Sequence, residues 1–454
     1  MDSEVIKALG EKLRRISILD VLFFYYVLFI GGATPLINNL DIRSNPLGVV
    51  IYFAALAILI LHTRRPLVRR RFVYVAVVFS AWCAIHFFLD SPFKYLQYGI
   101  FFLHIITGYF IARVYRETIV KRIVKTVYVL SVVALFMWIV ELCVGIDVMQ
   151  FLAPFENSWG DGGGSFLVFN VQPSDYKGTF MGSFVRNPGF AWEPGRFASL
   201  IVIAFACNTI WSRGKSVLLS KYNIVFLLAL ITTFSTTGYV AILVVFAINL
   251  IFSSRINIVK RAVLCLSLVA IAVFTARLPF VSEKILDKSD EDSYFTENEQ
   301  LIGMIDTSDE MSTVDRFEGL MLDALNFIED PVFGYGLDSR SSYVGRTVSE
   351  NIVTSNGLVK PFAMYGFPLA IALFIFFFLG TKRMSQAYGH NVNALLFIAV
   401  MVVSISYGWL DSPLMLAIVH YGVFSRKSKK KSSKNKSLHN GRSTAQPIAP
   451  GTQS

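Results

Sequence analysis

Twelve apolar segments, each nearly free of charge, divide this 454-residue chain and leave few ways for it to fold. They cover residues 16–37, 47–62, 72–89, 95–112, 126–146, 196–211, 222–235, 238–252, 262–278, 358–380, 392–410 and 412–424. Runs of that length and purity match helices that cross the hydrocarbon layer of a bilayer. In lipid every backbone N–H and C=O must be bonded within the protein, which selects helices over open strands. The 40 Phe, the 54% hydrophobic content and a mean hydropathy of +0.56 exclude an ordinary soluble domain. The chain is therefore expected to be an all-α polytopic membrane protein with about twelve transmembrane helices.

Charge supplies the orientation. The formal net charge is +11, but its distribution says more than its sum. Lys and Arg gather at the amino terminus and in Arg64–Arg71, Arg113–Lys125, Arg213–Lys221, Arg255–Arg261, Lys382–Arg383 and the tail from Arg426. Those are every second connection, as the positive-inside rule requires, so both termini are expected in the cytoplasm. The first apolar run follows Lys7, Lys12, Arg14 and Arg15, as a signal peptide would. It is too long for one and lacks a small-x-small cleavage site, so it is read as the first helix.

This topology divides the chain into six parts. Residues 1–146 hold helices one to five, and 147–195 form a first long outer loop rich in Gly, Asn and aromatics. Residues 196–278 hold helices six to nine, and 279–357 form a large outer loop. Residues 358–424 hold helices ten to twelve, and 425–454 form a basic, disordered cytoplasmic tail suited to anchoring at anionic lipid. In the large loop, the acidic stretch from Asp287 through Glu299 reads as a solvated segment, because its spacing fits no calcium loop. Beyond Ser312 the pattern turns helical: Phe317, Leu320, Met321, Ala324, Leu325 and Ile328 recur at helical spacing. Arg316, Glu318, Asp323 and Glu329 are then expected on the surface of an amphipathic helix lying on the outer membrane face.

Few residues can carry chemistry. The chain has no Gly-rich phosphate loop, no CxxC pair and no HExxH, and no metal or other cofactor is expected. Cys83, Cys143, Cys207 and Cys265 fall inside predicted spans and imply no disulfide framework. His86, His104 and His420 lie in or near spans, where pore lining or hydrogen bonding between helices accounts for them. Glu141 is deep in the fifth span and is a functional candidate on that ground alone.

What remains is an outer constellation. Arg186-Asn-Pro-Gly-Phe-Ala-Trp-Glu-Pro-Gly-Arg-Phe-Ala198 sets two arginines and a glutamate among rigid Pro-Gly turns at a membrane boundary. Arg186, Arg196, Arg316 and Lys360 suit a pyrophosphate, because the guanidinium fork binds phosphate oxygens in pairs. Glu193, beside Trp192, is either a general base for a sugar hydroxyl or a structural partner of Arg186 or Arg196.

Three blocks then carry a resemblance. Phe184-Val-Arg-Asn-Pro-Gly-Phe-Ala-Trp-Glu-Pro-Gly-Arg-Phe-Ala198 precedes a span, and Thr232-Thr-Phe-Ser-Thr-Thr-Gly-Tyr239 forms a turn between two spans. The third comprises Arg316 through Pro331-Val-Phe-Gly-Tyr-Gly336, then Ser355-Asn-Gly-Leu358 and Tyr365-Gly366. Together they resemble the Wzy-type O-antigen and capsular polysaccharide polymerases, in the superfamily that includes the O-antigen ligases. The resemblance implies a GT-C-like architecture in a bacterial inner membrane and a metal-independent, inverting glycosyltransferase. It also implies undecaprenyl-pyrophosphate-linked oligosaccharide as substrate, with Arg186, Arg196, Arg316 and Lys360 at the pyrophosphate. A chain-length regulator and a flippase are the implied partners, and nucleic acid is not one. The chain departs from the pattern at Thr236 and Thr237, where many members carry arginine, and at Ser355, where the ligases carry histidine. The second departure favours polymerase over ligase. A lipid-oligosaccharide transporter is the alternative of another class, although no internal repeat is visible.

Overall fold

The computed structural model describes residues 18–30, 46–61, 70–89, 93–156, 164–171, 185–213, 220–252, 259, 316–347, 352 and 354–424. The predicted span at 262–278, the acidic stretch from Asp287 and the basic tail lie outside them. Every other predicted span falls on a helix: α1 (Ile18–Ile30), α2 (Pro46–Leu61), α3 (Arg70–Leu89), α4 (Tyr95–Tyr115) and α5 (Ile119–Val144). A short helix, α6 (Ile146–Leu152), follows. Then come α7 (Pro194–Trp211), α8 (Lys221–Thr232) and α9 (Thr236–Phe252). The loop helices α10 (Arg316–Glu329) and α11 (Tyr343–Thr347) precede α12 (Lys360–Ala387), α13 (Leu395–Ser404) and α14 (Pro413–Phe424). By length and composition, four helical stretches among the described residues can each cross a membrane: Arg70–Leu89, Tyr95–Val144, Pro194–Trp211 and Lys360–Ala387. The chain is thus predominantly helical, with the apolar helices of a membrane protein.

The first long loop is not all irregular or helical. Strands β1 (Phe155–Glu156), β2 (Gly164–Phe166) and β3 (Phe169–Val171) pair antiparallel in that order, with Ser165 opposite Asn170. Strands of two or three residues fall below any period a sequence can display.

α7 is the axle. Its residues 197–210 are all buried, because α5, α8, α9 and α13 pack around it. α3 is the opposite case and exposes Val73, Tyr74, Val77, Val78, Phe87 and Phe88. Such an apolar flank is costly in water and favourable against lipid tails.

Contacts fix which helix ends lie together. At one end Arg71 Nη1 donates to Val423 O at 2.7 Å, Arg383 donates to Gly422 O, and Tyr388 Oη donates to Glu117 O at 3.0 Å. At the other end Trp82 Nε1 donates to Phe333 O at 3.1 Å, and Trp138 Nε1 donates to Val185 O at 2.8 Å. At the first of these ends, α12 crosses α14 where Gly380 faces Gly422. A Cβ on Gly422 would run into the Phe376 carbonyl oxygen. Small residues allow backbones in a membrane to approach this closely, and dispersion then replaces the hydrophobic drive that lipid does not supply.

Gly422→Val is accordingly expected to cost about 1–3 kcal/mol of stability through overpacking. A lowered thermal midpoint in detergent would report it. Gly99→Ala, where an added Cβ meets nothing within 4 Å, serves as the neutral comparison. Equal midpoints for the two variants would refute the close crossing.

Candidate functional site

The site lies where several apolar helices stop at the same end of the bundle. α8 ends at Thr232 and α9 begins at Thr236, and the turn between them would leave carbonyls unpaired. The Arg186 segment covers it. Asn187 N donates to Thr232 O at 2.9 Å, and its Nδ2 donates to Thr232 Oγ1 at 2.9 Å. Arg186 Nε donates to Thr233 O at 3.2 Å, and Nη2 reaches Phe234 O at 3.5 Å. Phe234 has φ 48°, a left-handed conformation that costs energy for an aromatic residue and makes the turn tight. Thr237 bonds Ser406 Oγ at 3.0 Å.

Arg196 stands in the first turn of α7, behind Glu193 at the N-cap and Pro194 at the start. Its guanidinium carbon lies 4.5 Å from the ring centroid of Trp409, 5.8 Å from Tyr407 and 5.9 Å from Trp192. Trp192 and Tyr407 meet edge to face, with centroids 6.2 Å apart. Rings hold a guanidinium by its π-faces, whereas its N–H donors lie in the plane of the group. The three rings confine the guanidinium and so fix where its fork can point. Two carboxylates act on this cation, Asp411 more strongly than Glu193. Glu193 is half-buried with Oε1 shielded from solvent, while Asp411 is exposed.

α10 docks beside this cluster, and it corrects the sequence-based reading. Its buried residues are Gly319, Leu322, Asp323 and Asn326, whereas Ile328 is exposed. Asp323 was expected on the surface but is 0% exposed. Its Oδ1 accepts from Thr354 Oγ1 at 2.9 Å, and Lys360 Nζ donates to the Thr354 carbonyl at 2.7 Å. Burial pushes the Asp323 carboxyl up from its ordinary 3.8 to about 7, against the opposing pull of Lys360 and the Thr354 hydroxyl. Burial and the Asp323 charge likewise push the Tyr335 hydroxyl up. Lys360 is thus committed to the underside of α10. The Arg316 backbone begins α10, and its side chain lies outside the described residues.

The segment after α10 is strapped to α12. Tyr335 N donates to Ala363 O at 2.9 Å, Gly336 N to Met364 O at 3.0 Å, and Phe367 N to Pro331 O at 2.8 Å. α12 breaks there at Gly366, whose φ is 70°. Any side chain on Gly366 would meet the Val332 carbonyl. Asp338 clamps the same segment to the start of α4 through Lys94 at 3.2 Å and pairs locally with Arg340 at 3.1 Å. Burial alone would raise the Asp338 carboxyl, but the Arg340 and Lys94 bonds outweigh it and hold it below the usual range.

The structure therefore brings Arg186, Glu193 and Arg196 to one end of the bundle, with Lys360 turned toward Asp323. Sequence reasoning missed Tyr407, Trp409 and Asp411, because 392–410 read as one span and α13 stops at Ser404. Glu141 is 1% exposed, and its Oε2 has no hydrogen-bond partner among the described residues. His420 contacts the Ile105 carbonyl of α4 at 3.0 Å, which fits the interhelical reading, whereas His86 contacts the Phe333 carbonyl in the segment after α10 at 3.2 Å. No group of three potential metal ligands occurs among the described residues. An apolar groove of about 430 Å³ runs along α3, α12 and α14, from Arg71 at the far end to Trp82 and Tyr365 at the site end. Comparison of the chain with protein-family models, curated proteins and solved structures finds no match in any of the three.

A carboxyl that titrates near 7 when docked and near 3.8 when released holds its proton more tightly in the docked state. Docking of α10 is therefore firmest below pH 3.8, weakens as pH rises to about 7, and is constant above that. Amide exchange across residues 318–329, corrected for intrinsic rates, should show more protection at pH 5 than at pH 8. Asp323→Asn should flatten that difference, and a difference that persists in the variant would assign it elsewhere.

Proposed function

We propose that the chain is a polysaccharide polymerase with its site on the outer face of a bacterial inner membrane. It would join polyprenyl-pyrophosphate-linked oligosaccharide units by inverting, metal-independent glycosyl transfer. The observation that carries this reading is the Arg196 guanidinium held among Trp192, Tyr407 and Trp409, at the same end of the apolar bundle as Arg186 and within the field of the exposed Asp411. Arginine at a lipid boundary suits a pyrophosphate carried on a lipid, because paired N–H bonds stabilise the charge that grows on the departing phosphate. The apolar groove that ends at Tyr365 supports a lipid-borne substrate over a soluble one. The basic alternate connections support twelve spans with both termini in the cytoplasm, which sets the Arg196 end outside.

In this reading the acceptor sugar hydroxyl attacks the anomeric carbon of the donor glycan, and polyprenyl pyrophosphate leaves. Arg196 and Arg186 grip the leaving group, and Arg316 enters from the start of α10. Ser355, in place of the ligase histidine, favours another lipid-linked repeat unit as acceptor over a lipid A core.

Purified protein in lipid vesicles, given lipid-linked repeat units from cells lacking the chain, should produce a ladder of longer glycans. Transport of the lipid-linked sugar without a ladder would sink the reading. Arg196→Lys is expected to lower chain extension by about 100-fold or more, since lysine keeps the charge but loses the stack and the fork. A loss below tenfold would refute the grip.

A further inference from the structure

Glu193 is the carboxylate that the sequence offers as a base, but the geometry points to a different one. We propose that Asp411 is the residue that takes the proton from the acceptor hydroxyl, and that Glu193 positions Arg196. This assignment rests on the polymerase reading and gives that site its missing base.

Three observations carry it. First, Asp411 sits in the turn that delivers the Trp409 ring to Arg196. Ser412 closes that turn by donating to Trp409 O through N at 3.1 Å and Oγ at 2.7 Å. Ser412 then caps α14, its Oγ accepting from Met415 N at 3.4 Å and its carbonyl from Leu416 N at 2.9 Å. The carboxylate therefore stands just before the N-terminus of α14. Second, its charge acts on groups from two other helices. The Arg196 guanidinium of α7 lies within its field, and so does the Tyr365 hydroxyl of α12. Tyr365 also lines the apolar groove, so the Asp411 field reaches both the arginine and a residue of the groove wall. Third, access separates the carboxylates. Of the two that act on Arg196, only Asp411 is exposed. Glu193 has its Oε1 shielded at the N-cap of α7. Asp323 and Glu141 are 0% and 1% exposed. A base must come within about 3 Å of the proton it removes, and a hydroxyl on a bulky glycan reaches an exposed carboxylate first.

The step balances. The acceptor O–H bond breaks and its proton passes to Asp411. The freed oxygen pair forms the new bond to the donor anomeric carbon. The bond from that carbon to the pyrophosphate oxygen breaks, and the leaving group departs with the electron pair beside Arg196. Asp411 returns its proton to water.

The test uses full-length protein in lipid vesicles and lipid-linked repeat units extracted from cells lacking the chain. Asp411→Asn is expected to lose about 100- to 10,000-fold in chain extension while still binding the lipid-linked donor. Asp411→Gly should regain activity when formate is added, which a merely structural role would not permit. Glu193→Gln should lose less activity than Asp411→Asn, and added formate should not change it. The proposal is overturned if Asp411→Asn stays within tenfold, or if formate leaves Asp411→Gly inactive. A wild-type protein that extends no chain at all overturns the polymerase reading, and the role of Asp411 with it.

Discussion

Lipid leaves no water to satisfy a broken helix, and this constraint shapes the whole site. Each break at the functional end is stitched by another part of the chain. The α8–α9 turn receives Asn187 and Arg186. At the end of α13, Gly357 N donates to Ser404 O at 2.7 Å and Asn356 Nδ2 donates to Ile405 O at 3.3 Å. The kink at Gly366 receives the strap from Pro331 to Gly336. The residues that complete these breaks are those at the centre of the sequence blocks. Their first duty is to satisfy backbone groups, and the functional geometry is built on that satisfaction.

Much of the architecture was legible because its signal is strong. Long runs without charge favour helices in lipid, and each predicted span within the described residues overlaps a helix, although 392–410 runs past the end of α13. The Arg186–Arg196 segment was legible for a different reason: charge and Pro-Gly turns at a membrane boundary are costly, so they stand out. The face that α10 buries was not legible. Its apolar stripe suggests a buried flank, yet Asp323 and Asn326 face inward, bonding to Thr354 and to Val344 N. In a protein whose outer flank meets lipid, the interior at a helix end can be the polar side, and hydrophobic period then points the wrong way.

Asp411 was missed for a related reason. Tyr407, Trp409 and Leu410 extend the apolar run of α13, so hydropathy carried the predicted helix past its true end at Ser404. Aromatic residues serve equally well as membrane filling and as stacking partners for a guanidinium, and composition alone does not tell these uses apart. The Arg196 partners became visible once the fold set rings from two distant segments on one cation.

The strap between Pro331 and Gly336 has a consequence for how such a chain can change over time. It bonds to α12 by backbone alone, and its Phe333 carbonyl also accepts from Trp82 on α3. The exposed side chains Val332 and Phe333 are therefore exchangeable, while Gly334 and Gly336 at positive φ, buried Tyr335 and the length of the strap are not. One inserted residue would shift every bond by a register and pull the kink at Gly366 away from its cover. Drift should therefore appear in this segment as substitutions, with insertions and deletions pushed to the loop ahead of α10.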